Sequence, residues 1–390
     1  MRVPIVLEVW DAKTVNPENS FDQSNAQSDH PVATQSSAGR TTVVRSDACA
    51  QHVPGAEIWV GVRTPGTEVA ERTERIEATL RERGYPFVDA DAHPDDVLTS
   101  IHDPGLIAHL ASAYERWTRA GFPTDPGQDR VVPYLMPTAG MLDGLPEREP
   151  TAIHAAAGRW CYDTMTLIGP GTWTAARAAV DVTLTAVDHV VRGASLTYAL
   201  TRPPGHHVTR SAFGGSCYLN NAAVAAQALR QAGHDRVAVI DIDAHHGNGT
   251  QAIFYDRADV SYGSLHIDPA AGWFPHYAGF ADEGGRGQGI GANLNIPLAP
   301  ETGDDRWLSA VDQLATHAAK NGASALVVSL GVDAALDDPE SPLRVSVRGY
   351  EAAGRILAAL ELPTVAVQEG GYHLDTLGTL VDATLTGLGG

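Results

Sequence analysis

Three cysteines in 390 residues, Cys49, Cys161 and Cys217, are too few and too irregularly spaced for a disulfide framework or a thiolate metal site. Their scarcity leads us to expect a reducing, cytoplasmic setting. Apolar runs are short as well, and none reaches the roughly 18 residues that a membrane-spanning helix requires. The N-terminal run MRVPIVLEVWDAK has neither a basic region nor a cleavage site ahead of a spacer. It is expected to form an edge or first strand, not a targeting signal. Positive charge is the third shortage. A formal net charge of −20 repels phosphate, which argues against nucleic acid or an anionic membrane as partner and favours cationic or neutral substrates.

What the chain does have is enough apolar sequence, 43%, to bury a large core. Its length allows one large α/β domain or two smaller ones, and no break in composition divides it. A single domain over 1–390 is therefore expected. Two regions interrupt the pattern. About 14–60 is rich in Asn, Gln, Ser, Asp and Thr, and is expected to be a long polar loop, either disordered or lying over a site or a subunit contact. About 121–165, rich in proline and glycine at its start, is expected to be a second long connection. Between them, Val69, Thr73, Ile76 and Leu80 make a helical stripe stopped by Gly84, and after them Val180, Leu184, Val187 and Val191 make another.

From Ser195 onward, apolar strands alternate with amphipathic helices. Strands are expected at Ser195–Leu200, Val237–Ile242, Val260–His266, Ser324–Leu330 and Pro363–Gln368, with helices near Asn221–Ala232, Asp305–Asn321, Tyr350–Glu361 and Asp375–Leu388. Such alternation implies a parallel sheet flanked by helices. Each strand ends in unusual residues: His206 and His207 in TRPPGHHVTR, Asp241, Asp243 and His245 in VAVIDIDAHHGNGT, then SLHIDP, Gly331-Val332-Asp333 and Glu369-Gly370-Gly371-Tyr372. Singly, a histidine pair can be a packed loop, Asp333 a helix cap and Gly370-Gly371 a turn. Together they fall on the carboxyl edge of one sheet, where ligand crevices form.

The residue types narrow the chemistry. Asp243, His245 and Asp333 would make a three-ligand site with open positions, suited to Zn²⁺ or Fe²⁺. His206 or His207 can serve as general base, with Asp241 and Asn248 as candidate partners to orient the rings. Tyr372 can donate to a developing oxyanion. The reaction class is metal-assisted hydrolysis of an amide or related acyl bond.

RPPGHH, GGSCYLNNAAVAA, DIDAHHGNGTQAIFY, SLH, GVD and EGGY, in this order, resemble the histone deacetylase-like metallohydrolases, and within them the bacterial acetylpolyamine amidohydrolases. The resemblance is strong from about Gly169 to the C-terminus, extends to Ile101–Trp117, and is poor over 14–60 and 121–165. It implies an arginase-deacetylase fold, one α/β domain around an eight-stranded parallel sheet, and a catalytic Zn²⁺ held by Asp243, His245 and Asp333. It pairs His206 with Asp241 and His207 with Asn248, makes His207 the base and Tyr372 the carbonyl-polarising group, and gives the Gly215 carbonyl to the substrate amide. It also implies a structural K⁺ on backbone carbonyls of Asp241, Asp243, His245 and Leu265 with the Ser264 hydroxyl, and a second cation around Phe254, Arg257 and Val260. His246 is left without a role.

The sequence departs from that pattern at the substrate channel. Phe274 fits one aromatic wall, but Ser216 stands where a second ring is expected, which predicts a wider or differently shaped channel. The family's entrance carboxylates fall near His154 and Met165, neither of which attracts an ammonium group. Glu147, Glu149 and Asp163 nearby read as surface charges or as substitutes for them. The expected activity is deacylation of a small N-acyl amine, an acetylated polyamine or related amine, by a homodimer. Hydrolysis of another amide, a natural-product or amino-acid derivative, is the alternative. A catalytically inert metal-binding interaction protein fits less well, because both histidines and Tyr372 accompany all three ligands. An arginase-like binuclear centre lacks a second set of carboxylates.

Overall fold

Strands whose side chains alternate between two hydrophobic layers organise the molecule. The structure, a computed structural model, describes residues 41–146 and 148–390. Its strands are β1 Thr42–Arg45, β2 Glu57–Trp59, β3 Val62–Thr64, β4 Phe87–Asp89, β5 Leu196–Ala199, β6 Val237–Asp241, β7 Val260–Ile267, β8 Asn293–Leu298, β9 Ala325–Leu330 and β10 Thr364–Gln368. Eight of them form one sheet in the order β4-β1-β5-β10-β9-β6-β7-β8, while β2 and β3 make a separate hairpin. Every pairing in the large sheet is parallel.

In β9, Ala325 and Val327 face one core and Leu326, Val328 and Leu330 the other; β6 divides Val237 and Val239 from Ala238 and Ile240 in the same way. Sheets covered on both faces need such continuous apolar strands. Helices Pro104–Arg119, Thr172–Val191 and Asn221–Gln231 cover the first face, placing Leu110, Val180 and Val224 against it. Helices Glu71–Glu82, Asp304–Lys320, Val347–Ala358 and Leu374–Gly387 cover the second with Leu80, Leu314, Leu357 and Leu385. Each buried Val or Leu contributes about 1.5–3 kcal/mol relative to exposure. The described residues belong to one α/β domain, and none of their helices is long and apolar enough to cross a membrane.

Two expectations need correction. Within the polar stretch about 14–60, Thr42–Arg45 is an interior strand of the large sheet, paired to β4 and β5, and Asp47–Gln51 is a 3₁₀ turn. Two fully buried valines, Val43 and Val44, suffice there because both neighbours supply backbone hydrogen bonds. The guanidinium of Arg202 then ties the following segment down, donating to the carbonyls of Cys49 at 3.0 Å and His52 at 2.8 Å. Within about 121–165, Ile153–Trp160 is a helix that buries Ile153, Ala157 and Trp160. The expected N-terminal strand and residues 14–40 lie outside the described residues.

Candidate active site

The loops leaving β5, β10, β9, β6 and β7 carry the candidate residues, and these five strands are consecutive neighbours. Parallel pairing puts their carboxyl ends on one edge, so groups distant in sequence converge. The ligand atoms of Asp243, His245 and Asp333 all lie within 4.8 Å of one another. His245 Nδ1 is 2.9 Å from Asp333 Oδ2 and 3.3 Å from Asp243 Oδ1. Backbone groups fix the carboxylates: the Gly370 N–H donates to Asp243 Oδ2 at 2.8 Å and the Ala244 N–H to Asp333 Oδ1 at 2.7 Å. The surrounding loops close so tightly that a Cβ on Gly331 would sit 2.0 Å from Asp243 Oδ2, and one on Gly370 2.5 Å from Asp333 Oδ2.

Charge is unbalanced in this cluster. Burial, and then the Asp243 carboxylate, push Asp333 up to about 7. Burial also disfavours the Asp243 anion, but His206 and His245 outweigh it and hold Asp243 well below the usual carboxylate range. Burial opposes an imidazolium at His245, yet its bonds to Asp243 and Asp333 prevail and raise it well above the ordinary value. Two buried carboxylates and an imidazole, with proton affinity raised at Asp333 and His245, form a donor set a divalent cation fits, since metal binding displaces such protons.

Beside the cluster stand two histidines in contrasting settings. His206 Nδ1 is 3.1 Å from Asp241 Oδ2, which also accepts the Tyr262 hydroxyl at 3.1 Å. Burial disfavours its imidazolium, but Asp243 and Asp241 outweigh that and bring His206 up to about 10. His207 Nδ1 faces a neutral amide, Asn248 Oδ1, at 2.8 Å. Burial, and then the His206 charge, hold it well below the ordinary imidazole value. The two rings, 4.1 Å apart between centroids, are thus shifted in opposite directions. Donation from Nδ1 to Asn248 leaves His207 Nε2 with a free lone pair.

Tyr372 follows the Gly370-Gly371 turn after β10. Its backbone N–H donates to Asp338 Oδ2 at 2.7 Å, and Arg72 donates from Nε to the Gly371 carbonyl at 2.6 Å and from Nη2 to that of Glu369 at 2.5 Å. Burial raises the Tyr372 hydroxyl well above its ordinary value against the opposing Arg72 charge, so it remains a donor. Tyr372 lines a cavity of about 100 Å³ together with His245, His207, Gly215, Ser216 and Phe274. The Phe274 ring stands perpendicular to His207 at 4.8 Å.

Asp163 is not a surface charge: it accepts the Gly215 N–H at 2.6 Å and the Met165 and Thr166 N–H groups at 2.9 Å. It shapes the loop that brings Gly215 and Ser216 to the cavity. Met165 also lines the cavity, whereas His154 packs on Phe122 and Tyr134 beside a separate hollow. Asp241 and Ser264 are register partners on β6 and β7, with Leu265 buried next in line. The Arg257 N–H donates to the Phe254 carbonyl at 3.0 Å, and Val260 opens β7. His246 Nε2 meets Gln251 Oε1 at 3.1 Å, while Gln251 Nε2 donates to Glu283 Oε2 at 2.6 Å. Glu283 in turn accepts the Gly279 N–H at 2.9 Å, so His246 belongs to a buried polar network under the loop bearing Phe274.

Sequence reasoning missed Asp338, Arg72, Glu57 and Glu340. Asp338 lies five residues beyond Asp333 and had a signal, a carboxylate just past a ligand-bearing strand end. Arg72 had none, because it reaches the site from a helix near the other end of the chain.

Sheet order and site together place the chain among the α/β proteins of the arginase-deacetylase fold. The Histone deacetylase domain profile matches residues 66–388, and the chain belongs to that family. It is 38% identical over 335 residues to the acetylpolyamine amidohydrolase of Mycoplana ramosa, covering 86% of this chain and 95% of that one. It is 39% identical over 339 residues to acetylpolyamine amidohydrolase 1 of Pseudomonas aeruginosa, with the same coverage, 86% and 95%. The crystal structure of the acetylpolyamine aminohydrolase from Burkholderia pseudomallei superposes with a TM-score of 0.83 at 36% identity, over 90% of this chain and 98% of that one. The chain is accordingly a hydrolytic deacetylase acting on amide bonds.

Proposed function

We propose that this enzyme is a zinc-dependent amidohydrolase that deacetylates acetylated polyamines or related small N-acyl amines. The observation that carries this reading is the cluster of Asp243, His245 and Asp333, whose His245 lines one small cavity together with His207 and Tyr372. The family and the relatives' names support the substrate class.

Asp243, His245 and Asp333 would hold the ion, Zn²⁺ or Fe²⁺, which when bound supplies Lewis acidity to the scissile carbonyl and the attacking water. His207 Nε2 takes a proton from that water and returns it to the departing amine. His206 stands beside His207 with its Nδ1 held by Asp241. The Tyr372 hydroxyl donates to the carbonyl oxygen as negative charge develops there. The Gly215 carbonyl accepts the substrate amide N–H, and Phe274 flanks the stem. Structural K⁺ sites at the carbonyls of Asp241, Asp243, His245 and Leu265 with Ser264, and around Phe254, Arg257 and Val260, belong to the same proposal. So do a cytoplasmic homodimer and a single domain spanning the whole chain. His154 has no part in the cavity reading.

A second reading keeps the machinery and changes the amide. It rests on Ser216, which contributes no ring to the cavity wall. A panel of acetylated polyamines, acetyl-lysine peptides and small N-acyl amino compounds, run on enzyme of defined metal content, separates the two. Preference for the acetylated polyamines supports the first reading, and preference for an uncharged amide the second. Tyr372→Phe is expected to keep the bound metal and lose about 10²–10³ in turnover, the usual loss for one oxyanion donor. Full turnover in that variant would remove Tyr372 from the mechanism.

A further inference from the structure

His246 stands in VAVIDIDAHHGNGT without a part in the chemistry, and its surroundings point to one. The loop after β7, residues 268–279, carries Phe274 to the cavity wall. Its two ends are tied to each other. His266, near the end of β7, sets Nε2 2.8 Å from the carbonyl of Gly279 at the far end of the loop. A carbonyl only accepts, so that nitrogen carries the proton, and Nδ1 accepts the Ser264 hydroxyl at 2.8 Å. The Gly279 N–H in turn donates to Glu283 Oε2 at 2.9 Å. Side chains thus hold both backbone groups of one residue.

The Glu283 carboxylate is itself fixed from the core. Its Oε2 also accepts Gln251 Nε2 at 2.6 Å and Asn295 Nδ2 at 3.1 Å, while Gln251 Oε1 accepts His246 Nε2 at 3.1 Å. Donation therefore runs from His246 through Gln251 to the one anion, and a charged acceptor makes the stronger hydrogen bonds. The His246 and His266 rings lie 4.6 Å apart between centroids, and a Cβ on Gly279 would fall 2.7 Å from His266 Nε2 and 2.8 Å from His246 Cγ. The end of the loop rests directly on both imidazoles. Farther out, Tyr277 is 93% exposed, so the loop is held at its base and at Trp273, whose indole N–H donates to the Glu340 carbonyl at 3.2 Å. We infer that Glu283 and His266 are positioning residues: supported by His246 and Gln251, they clamp Gly279 and so keep Phe274 in place beside His207. The inference rests on the proposed role of Phe274 as a flank of the substrate stem, and adds what keeps that flank in position.

The test uses metal-loaded wild type, Glu283→Ala, Glu283→Gln, Phe274→Ala and the variant combining Glu283→Ala with Phe274→Ala. Hydrolysis of N-acetyl-1,4-diaminobutane is one readout, and amide hydrogen exchange over residues 268–280 is a second that needs no turnover. Glu283→Ala is expected to raise KM by about 2- to 10-fold, the range for one lost aromatic contact, with bound metal and kcat close to wild type. Glu283→Gln keeps an oxygen for the Gly279 N–H and is expected to restore most of the KM. In the Phe274→Ala background the same truncation is expected to add nothing, because no ring is left to hold. Exchange is expected to quicken in Glu283→Ala and to stay near wild type in Glu283→Gln. Unchanged KM or unchanged exchange in Glu283→Ala, or an equal rise in KM in the Phe274→Ala background, overturns the inference while leaving deacetylation standing. Should wild type not cleave the amide, the proposed activity falls and exchange alone decides: quickening in Glu283→Ala but not in Glu283→Gln sustains the clamp, and no quickening rejects it. Glu283 is half-buried, and Glu283→Ser replaces Glu283→Ala in every comparison if the alanine variant does not fold.

Discussion

Asn248 presents its side-chain oxygen to Nδ1 of His207 at 2.8 Å, an uncharged partner where the adjacent His206 has the Asp241 carboxylate. The two rings are shifted in opposite directions: the Asp243 and Asp241 carboxylates raise His206, while burial and the His206 charge lower His207. A base must be neutral to accept a proton, and His207 is the ring kept neutral by burial and by the His206 charge.

Replacing that amide with a carboxylate, Asn248→Asp, is expected to raise the His207 pKa, because an adjacent anion favours imidazolium by about one to three units. The base is then lost at higher pH than in wild type. The acidic limb of the kcat/KM profile should move upward, with the alkaline limb little changed. An unmoved acidic limb would assign the base elsewhere.

Gly331→Ala places a methyl carbon where Asp243 Oδ2 now lies, 2.0 Å from the ideal position. The carboxylate must give way, since Gly331 continues a buried strand end. Metal affinity is expected to fall by at least about tenfold, the lower bound for disturbing ligand orientation. Metal content after dialysis, with circular dichroism to check the fold, measures this. Retention of wild-type content would mean the loop can yield where Asp243 does not.

Ser216→Tyr supplies the absent ring beside the cavity that Phe274 flanks. On a slim acetylated diamine, KM is expected to fall, because an aromatic contact adds roughly 0.5–1.5 kcal/mol beyond the area it buries. No gain would show that the present channel already grips its stem.

The sheet was partly legible, and the reasons are physical. Strands β5, β6, β7, β9 and β10 announce themselves as apolar runs that stop at histidine, aspartate or glycine. Thr42–Arg45 escapes because only Val43 and Val44 carry its burial, and Phe87–Asp89 because three residues make no pattern. Asn293–Leu298 interleaves asparagines that serve the buried Gln251 and Glu283 network, which hides its strand character. At the site, Asp243, His245 and Asp333 were visible from type and spacing at strand ends, and the structure brings them together. Glu340 sits in a loop without a motif and gains its place through Asp338 and Trp273. Such contacts exist only once the chain has folded.

The central claim is that one metal ion, held by Asp243, His245 and Asp333, supports hydrolysis of an acetylated amine. Stripping the enzyme with a chelator and titrating Zn²⁺ back while following N-acetyl-1,4-diaminobutane hydrolysis tests it most directly. The account predicts no turnover without metal and full recovery at one equivalent per chain, with recovery absent in Asp333→Asn. Turnover in the stripped enzyme, or recovery only at two equivalents, would contradict it.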